Sequence, residues 1–155
     1  MCGVSGFINF NNNDIDYSLI SRSMNNELMK RGPDDNGSWI DKKEGVLLNH
    51  TRLSIVDLTE KGRQPMESFS GRYIICFNGE IYNHKEIRNN LNYSNWYGNS
   101  DTETILTSIE IKGIYSTLES LTGMFVIVLW DKIEKVLFII RDRLGEKPIY
   151  YGFQR

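Results

Sequence analysis

Cys2 directly follows Met1 and precedes Gly3, and this position gives its thiol a special chemical option. Removal of a single residue would expose a cysteine that carries a free α-amine. An α-amine has a pKa of about 7.7–8.0, so near neutral pH it can take the thiol proton directly or through a water molecule. Nucleophile and general base would then belong to one residue, without a catalytic histidine. On position alone, the simpler interpretation of Cys2 as an ordinary early residue stays open.

Asn78-Gly79 is a second candidate for chemistry. Between a strand-like segment and the following Glu80, this dipeptide is the typical signal of a two-residue hairpin turn. The Asn78 amide and the Gly79 N–H would also suit an oxyanion hole, in which donors are fixed before negative charge develops on a carbonyl oxygen. The second interpretation needs a nucleophile nearby.

Arg52 and Asp101 carry opposite charges and could bind a zwitterion together. Each also has a simpler interpretation. Arg52 would be a surface cation between strands, and Asp101 an acidic residue in a first helical turn, where the helix dipole favours it.

The elements that must position these residues are strands and helices in alternation. Asp16 can cap a helix in which Leu19, Ile20, Met24 and Leu28 recur near helical spacing. A capping box at residues 100–103 opens another helix that ends at Gly113. A shorter helix is expected at 115–121, and strands at 4–10, 38–40, 45–50, 53–56, 73–77, 125–130 and 136–140. The last two strands are nearly continuous apolar runs, which predicts a hairpin that is buried on both faces.

Composition limits the class of protein. The 155 residues are 40% hydrophobic and 25% charged, which favours one ordered domain, and the elements predict α+β architecture with helices over stacked antiparallel sheets. A net charge of -2 without a basic block argues against nucleic acid as a partner. No apolar run reaches the length of a membrane span, and no signal peptide is evident. Cys2 and Cys76 have no metal-ligand pattern around them, so we expect a cytoplasmic protein without a metal.

Eight motifs in register cover nearly the whole chain. They are Cys2-Gly3 with Gly6, Arg31-Gly32-Pro33-Asp34, residues 52–58, Gln64-Pro65-Met66, residues 77–83, residues 100–103, Gly123-Met124-Phe125 and residues 141–151. Together they resemble the class II (N-terminal-nucleophile) glutamine amidotransferase domain of the glutamine-hydrolysing asparagine synthetase family. The resemblance implies the N-terminal-nucleophile hydrolase fold, a four-layer αββα sandwich.

The resemblance also implies a reaction. Cys2, after loss of Met1, would attack the side-chain amide of glutamine while Asn78 and Gly79 hold the oxyanion. A γ-glutamyl thioester would form as ammonia leaves, and water would then release glutamate.

Substrate recognition is implied in the same way. Arg52 would bind the α-carboxylate of glutamine by charge-assisted hydrogen bonds, and Asp101, with Glu80, its α-ammonium group. The same pocket would be lined by the backbone of Leu53, Ser54, Ile55 and Val56.

In this family the ammonia passes through an internal tunnel to a C-terminal synthetase domain, which uses ATP and magnesium to adenylate a carboxylate such as that of aspartate. The resemblance implies no cofactor for the glutamine amidotransferase domain itself. We expect residues 1–155 to be an incomplete copy of that domain, because only residues 152–155 follow the last motif. The sequence also leaves room for a homodimer.

Three alternatives remain. The domain could supply ammonia to a sugar-phosphate or phosphoribosyl acceptor, although residues 31–34 and 147–151 favour the asparagine synthetase branch. It could serve a related enzyme that amidates a sugar acid or another carboxylate. It could also be an interaction module that has lost hydrolysis, against which the intact Cys2, Arg52, Asn78 and Asp101 argue.

Overall fold

The computed structural model describes residues 1–10, 14–54 and 59–153. Its strands are β1 (Gly3–Ile8), β2 (Asp35–Asp41), β3 (Val46–Arg52), β4 (Met66–Glu67), β5 (Tyr73–Ile81), β6 (Gly123–Asp131) and β7 (Val136–Arg141). Its helices are α1 (Tyr17–Leu28), α2 (His84–Asn90), α3 (Asp101–Lys112) and α4 (Ile114–Ser120), with a short 3-10 helix at Glu60–Gly62.

The strands form two antiparallel sheets. Sheet A has the order β1-β3-β2, so that β3 is central, and sheet B has the order β4-β5-β6-β7. This arrangement includes the hairpin predicted from the two apolar runs, which is β6 and β7.

Alternate side chains of β5 point into two different cores, one on each face of sheet B. The fold therefore has four layers. Ile74 packs against Val46 of β3 in a core between the two sheets. Its neighbour Ile75 points the other way, into a larger core with Ile105 of α3. Helix α1 packs on the outer side of sheet A. The α+β, four-layer αββα prediction is therefore confirmed.

Side-chain caps fix both long helices at their predicted N-termini. Asp16 Oδ1 accepts hydrogen bonds from the backbone N–H groups of Ser18 and Leu19, both at 3.0 Å. Ser100 Oγ accepts one from the Glu103 N–H at 3.1 Å. Such caps satisfy donors that have no partner inside the helix.

The buried face of α1 departs from the predicted apolar stripe at Leu19, whereas Ile20, Met24 and Leu28 are half-buried. Leu19 is 65% exposed, whereas Tyr17, Ser21 and Asn25 are buried. The reason is that the layer between α1 and sheet A is polar: Ser21 Oγ donates to Asn49 Oδ1 at 2.9 Å. Directional hydrogen bonds, more than apolar spacing, determine which side of α1 faces the sheet.

The hairpin-turn interpretation of Asn78-Gly79 is wrong. Both residues lie inside β5, where they pair with Val126 and Phe125 of β6. Gly79 is needed because β6 approaches so closely that a Cβ on it would lie 2.2 Å from the Met124 carbonyl oxygen. The dipeptide is thus part of a continuous strand that a local turn signal could not reveal.

Two other strand predictions need correction. The predicted strand at 53–56 is wrong for Leu53 and Ser54, which follow the end of β3 and have no regular structure. Residues 55–56 lie outside the described part of the chain. β7 is also not buried on both faces, because Val136 and Ile139 are 41% and 46% exposed. As the last strand of sheet B, it is an edge strand with one partner.

Within the described residues, no helix is long and apolar enough to cross a membrane. The same residues contain no group of three or more His, Cys, Asp or Glu side chains that could hold a metal ion.

Candidate active site

One pocket of about 110 Å³ lies where the start of β1 and the end of β3 meet β5 and the N-terminus of α3. It brings together residues that are far apart in the sequence. Seven of the predicted site residues line it: Cys2, Arg52, Leu53, Asn78, Gly79, Glu80 and Asp101. Ser54 does not line the pocket, and Ile55 and Val56 lie outside the described residues.

The Cys2 thiol is held by the backbone of Leu53. The Leu53 N–H donates to Cys2 Sγ at 3.5 Å, and Sγ lies 3.7 Å from the Leu53 carbonyl oxygen, to which it can donate. Arg31 Nε donates to the Cys2 carbonyl oxygen at 3.3 Å. The nucleophile candidate is therefore fixed on both its side-chain and its backbone side.

The segment Arg31-Gly32-Pro33-Asp34 explains how Leu53 comes to lie beside Cys2. Asp34 Oδ2 accepts a hydrogen bond from the Ser54 N–H at 2.8 Å, and the Asp34 N–H donates to the Arg52 carbonyl oxygen at 3.0 Å. Gly32 passes so close to β3 that a Cβ there would lie 2.3 Å from the Thr51 carbonyl carbon. This motif therefore positions the end of β3 in the pocket.

The edge of β5 that faces α3 carries three N–H groups on alternate residues. The Phe77 N–H donates to Gln64 Oε1 at 2.6 Å, and the Ile81 N–H donates to Asp101 Oδ2 at 3.2 Å. Because alternate N–H groups in an antiparallel strand point to the same edge, the Gly79 N–H between them points toward the pocket as well. It is a backbone donor that lines the same pocket as Cys2.

The Asn78 side chain lies on the face of β5 that is turned toward sheet A. It is 8% exposed and lines the pocket. Its amide makes no hydrogen bond with another residue in the described part of the chain. An amide that is buried and directed into a pocket in this way is available to a ligand.

Arg52 ends β3 with its guanidinium group at the pocket wall. It is 8% exposed, and its Nη1 donates to the Thr59 carbonyl oxygen at 2.8 Å. A planar guanidinium carries its N–H groups in a fork that matches a carboxylate.

Asp101 is the first residue of α3 and is 5% exposed. Burial raises the pKa of its carboxyl to about 6, although hydrogen bonds from the Ile81 and Thr102 N–H groups act in the opposite direction. The nearby Glu80 carboxylate raises the pKa further. A cation bound here would stabilise the charged form, so the site favours an ammonium group.

Cys76 lies in a different environment. Its side chain is 0% exposed, between the two sheets, and burial raises the pKa of its thiol. Since the thiolate is the reactive form, Cys76 is an inert core residue.

Gln64 and Lys147 are two of the eight further described residues that line the pocket without a role assigned from the sequence. Gln64 links β5 to α3, because its Oε1 accepts from the Phe77 N–H and its Nε2 donates to Thr102 Oγ1 at 3.1 Å. Lys147 is 6% exposed and reaches Met1. Both belong to motifs quoted above, but nothing in their local sequence shows that they meet the pocket.

The four layers, together with a thiol at the start of the first strand, are typical of the N-terminal-nucleophile class of hydrolases. A family model described as a glutamine amidotransferase domain matches residues 1–155. The chain therefore belongs to the glutamine amidotransferase domain family.

Its relatives are longer proteins. Asparagine synthetase [glutamine-hydrolyzing] 3 of Bacillus subtilis is 38% identical over 155 residues, which cover 97% of this chain and 25% of the relative. Asparagine synthetase B [glutamine-hydrolyzing] of Escherichia coli is 33% identical over 99% of this chain and 27% of its own length. Amidase chry2 of Gibberella zeae is 34% identical over 97% of this chain and 24% of its own length. The chain thus spans about a quarter of the length of these relatives.

Proposed function

We propose that this domain hydrolyses the side-chain amide of glutamine to glutamate and ammonia through a thioester on Cys2. The observation that carries the proposal is the convergence in one pocket of a held thiol, the Asn78 amide and Gly79 N–H as hydrogen-bond donors, and an opposite-charge pair. Arg52 and Asp101 bind the α-carboxylate and α-ammonium groups, with Glu80 nearby. The side-chain amide of the substrate then extends toward Cys2.

In the first half of the reaction, the α-amine of Cys2 takes the thiol proton and Sγ attacks the amide carbon of glutamine. The carbonyl oxygen becomes negative and is bound by the Asn78 amide and the Gly79 N–H. When the C–N bond breaks, the leaving nitrogen takes the proton back from the α-ammonium group and departs as ammonia, which leaves the γ-glutamyl thioester.

In the second half, the α-amine takes a proton from a water molecule as its oxygen attacks the thioester carbon. The same two donors hold the oxyanion. The C–S bond then breaks, the sulfur recovers its proton, and glutamate is released.

Met1 must be absent for this chemistry. While it is attached, the nitrogen of Cys2 belongs to a peptide bond and has no basic lone pair, and the Met1 side chain itself lines the pocket. Removal of Met1 therefore both creates the base and enlarges the site.

The acceptor of the ammonia is a further part of the proposal. Relatives named as glutamine-hydrolysing asparagine synthetases support asparagine synthesis, with aspartate as the acceptor. We further propose that ATP and magnesium activate this acceptor in a separate synthetase domain of a cytoplasmic enzyme. A second candidate acceptor is another carboxylate or a sugar acid, since one relative of similar identity is named as an amidase and not as an asparagine synthetase. Glutamine-dependent amide formation with aspartate and with such acids, measured on a polypeptide that includes a synthetase domain, distinguishes the two.

An electrophilic glutamine analogue should label the mature N-terminal Cys2, because that thiol lies beside its own base in the binding pocket. Mass spectrometry of the digested protein should locate the label on a peptide that begins at Cys2. The Cys2→Ser variant should remain unlabelled, whereas Cys76→Ser, which alters only the buried thiol, should be labelled normally. A label on Cys76 would overturn the assignment of the nucleophile.

The efficiency of glutamine hydrolysis should fall as the pH is lowered through about 6, the pKa of Asp101. Below that pH Asp101 is mostly protonated and loses its attraction for the α-ammonium group. Because kcat/KM reports the ionisation of the free enzyme, this fall should be visible there. Asp101→Asn should have a lower kcat/KM at neutral pH and should lack the inflection near 6. If the inflection persists in Asp101→Asn, another group is responsible for it.

A further inference from the structure

Lys147 is a buried cation in the same pocket that the proposed reaction does not use. Its side chain is 6% exposed, and its Nζ lies 3.2 Å from Met1 Sδ. A thioether sulfur is a weak acceptor for an ammonium group. Burying a cation against so weak a partner is costly, which suggests that another ligand serves Lys147 once Met1 has left.

The backbone around Lys147 is held firmly. Asp142 accepts hydrogen bonds from the N–H groups of Lys147 and Phe125 on Oδ2, at 3.0 and 3.2 Å, and from the Glu146 N–H on Oδ1 at 2.8 Å. Burial alone would raise the pKa of Asp142, but these hydrogen bonds lower it. Arg141 Nε donates to the Lys147 carbonyl oxygen at 2.6 Å. The ammonium group thus extends from a loop that is fixed to β6.

The stacking of the sheets shows which end of the pocket Lys147 serves. Gly37 of β2 lies over the β4 side of sheet B, since a Cβ on it would be 2.2 Å from the Gln64 carbonyl oxygen. β1 occupies the opposite edge of sheet A, and Lys147 reaches Met1, which directly precedes Cys2 at the start of this strand. Lys147 therefore lies at the end of the pocket that holds Cys2.

Arg52 occupies the other side. Its Nη1 is bonded to the Thr59 carbonyl oxygen, next to the 3-10 helix that precedes β4. If Arg52 binds the α-carboxylate, as in the proposed function, Lys147 lies on the side of the substrate end that reacts at Cys2.

We propose that, in the mature domain, Lys147 binds the negatively charged γ-oxygens that form at Cys2: the oxyanion of the tetrahedral states and the γ-carboxylate of glutamate. This inference rests on the proposed glutaminase function. Removal of Met1 frees the position 3.2 Å from Nζ. A charge-assisted hydrogen bond from an ammonium group to such an oxygen is about twice as strong as a neutral one.

Lys147→Met tests the proposal, because methionine keeps most of the length of the unbranched side chain and removes its charge. In protein whose N-terminal Cys2 is verified by mass spectrometry, we expect kcat for glutamine to fall by about 10- to 100-fold, at or below the lower limit of the usual effect of losing one oxyanion donor. The KM for glutamine should change by less than about 3-fold, since ground-state glutamine has no negative charge at this end. Lys147→Arg should restore most of the activity, and Lys85→Met, at an exposed lysine of α2, should match the wild type.

Glutamate binding measured by calorimetry separates this inference from the proposed function, because it does not require hydrolysis. We expect Lys147→Met to weaken glutamate binding by about 10-fold, the loss of one charge-assisted hydrogen bond. Unchanged kcat and unchanged glutamate affinity in this variant would overturn the proposal. If the wild type binds glutamate through Lys147 but releases no ammonia, the glutaminase function fails and the anion site stands. Lys147→Gln replaces the methionine variant if that one does not show a cooperative melting transition.

Discussion

Asn78→Ala is expected to hydrolyse glutamine about 100- to 1,000-fold more slowly in kcat, the usual effect of losing one oxyanion donor. Its KM for glutamine should change little, because the amide is directed at the charge of the tetrahedral state and not at the ground-state substrate. The structure favours such an effect, since Asn78 is buried in the pocket and its amide has no hydrogen-bond partner among the described residues. The measurement is the rate of ammonia release at saturating glutamine.

Thermal melting separates chemistry from folding in this experiment. Asn78 lies inside β5 and not in a turn, so its backbone hydrogen bonds to β6 remain in the alanine variant. We expect a cooperative transition close to that of the wild type. Asn89→Ala, at an exposed position of α2, is the matched control and should retain normal kcat. Normal kcat in a folded Asn78→Ala protein would refute the oxyanion assignment.

Arg52→Ala should reduce kcat/KM for glutamine by about 30- to 5,000-fold, which corresponds to about 2–5 kcal/mol for loss of one partner of a desolvated charge pair. The loss should appear chiefly in KM, because the α-carboxylate lies away from the reacting amide and is bound equally in the ground and transition states. Steady-state kinetics over a wide range of glutamine concentrations measure both parameters. Asp101→Ala is expected to act in the same direction for the α-ammonium group.

Arg52→Lys is the informative companion variant. Lysine keeps the positive charge but lacks the planar fork that matches a carboxylate, so we expect it to recover only part of the lost affinity. Arg22→Ala, at an exposed position of α1, controls for net charge. A wild-type KM in folded Arg52→Ala would leave Arg52 with a structural role only, through its hydrogen bond to the Thr59 carbonyl oxygen.

The sequence predicted those parts of the fold that depend on neighbouring residues. Asp16 and Ser100 cap helices where expected, because a capping oxygen acts on N–H groups two or three residues away. The turn interpretation of Asn78-Gly79 is wrong because strand pairing with Val126 and Phe125, more than 40 positions away, overrides a local preference. The same limit applies to Leu19, whose exposure depends on the polar contacts that α1 makes with sheet A.

For the site, residue types were predictable and relative positions were not. Cys2, Arg52, Asn78 and Asp101 were selected from motifs, and the pocket brings all four together. Lys147 reaches Met1 across 146 positions only because Asp142 fixes its loop to β6, and no local pattern encodes that contact.

The spacing of the N–H groups along the pocket edge of β5 also sets the length of the amino acid that fits. Alternate residues of an extended strand repeat about every 6.7 Å, and this repeat separates the Gly79 N–H from the Ile81 N–H that holds Asp101. An amino acid that places its α-ammonium group against Asp101 and its amide oxygen at Gly79 must match that spacing. Asparagine is one methylene shorter than glutamine, so it would leave one of its two ends unbound. In the proposed reaction, the rigid pitch of a β-strand would therefore discriminate between two amide side chains that differ only in length.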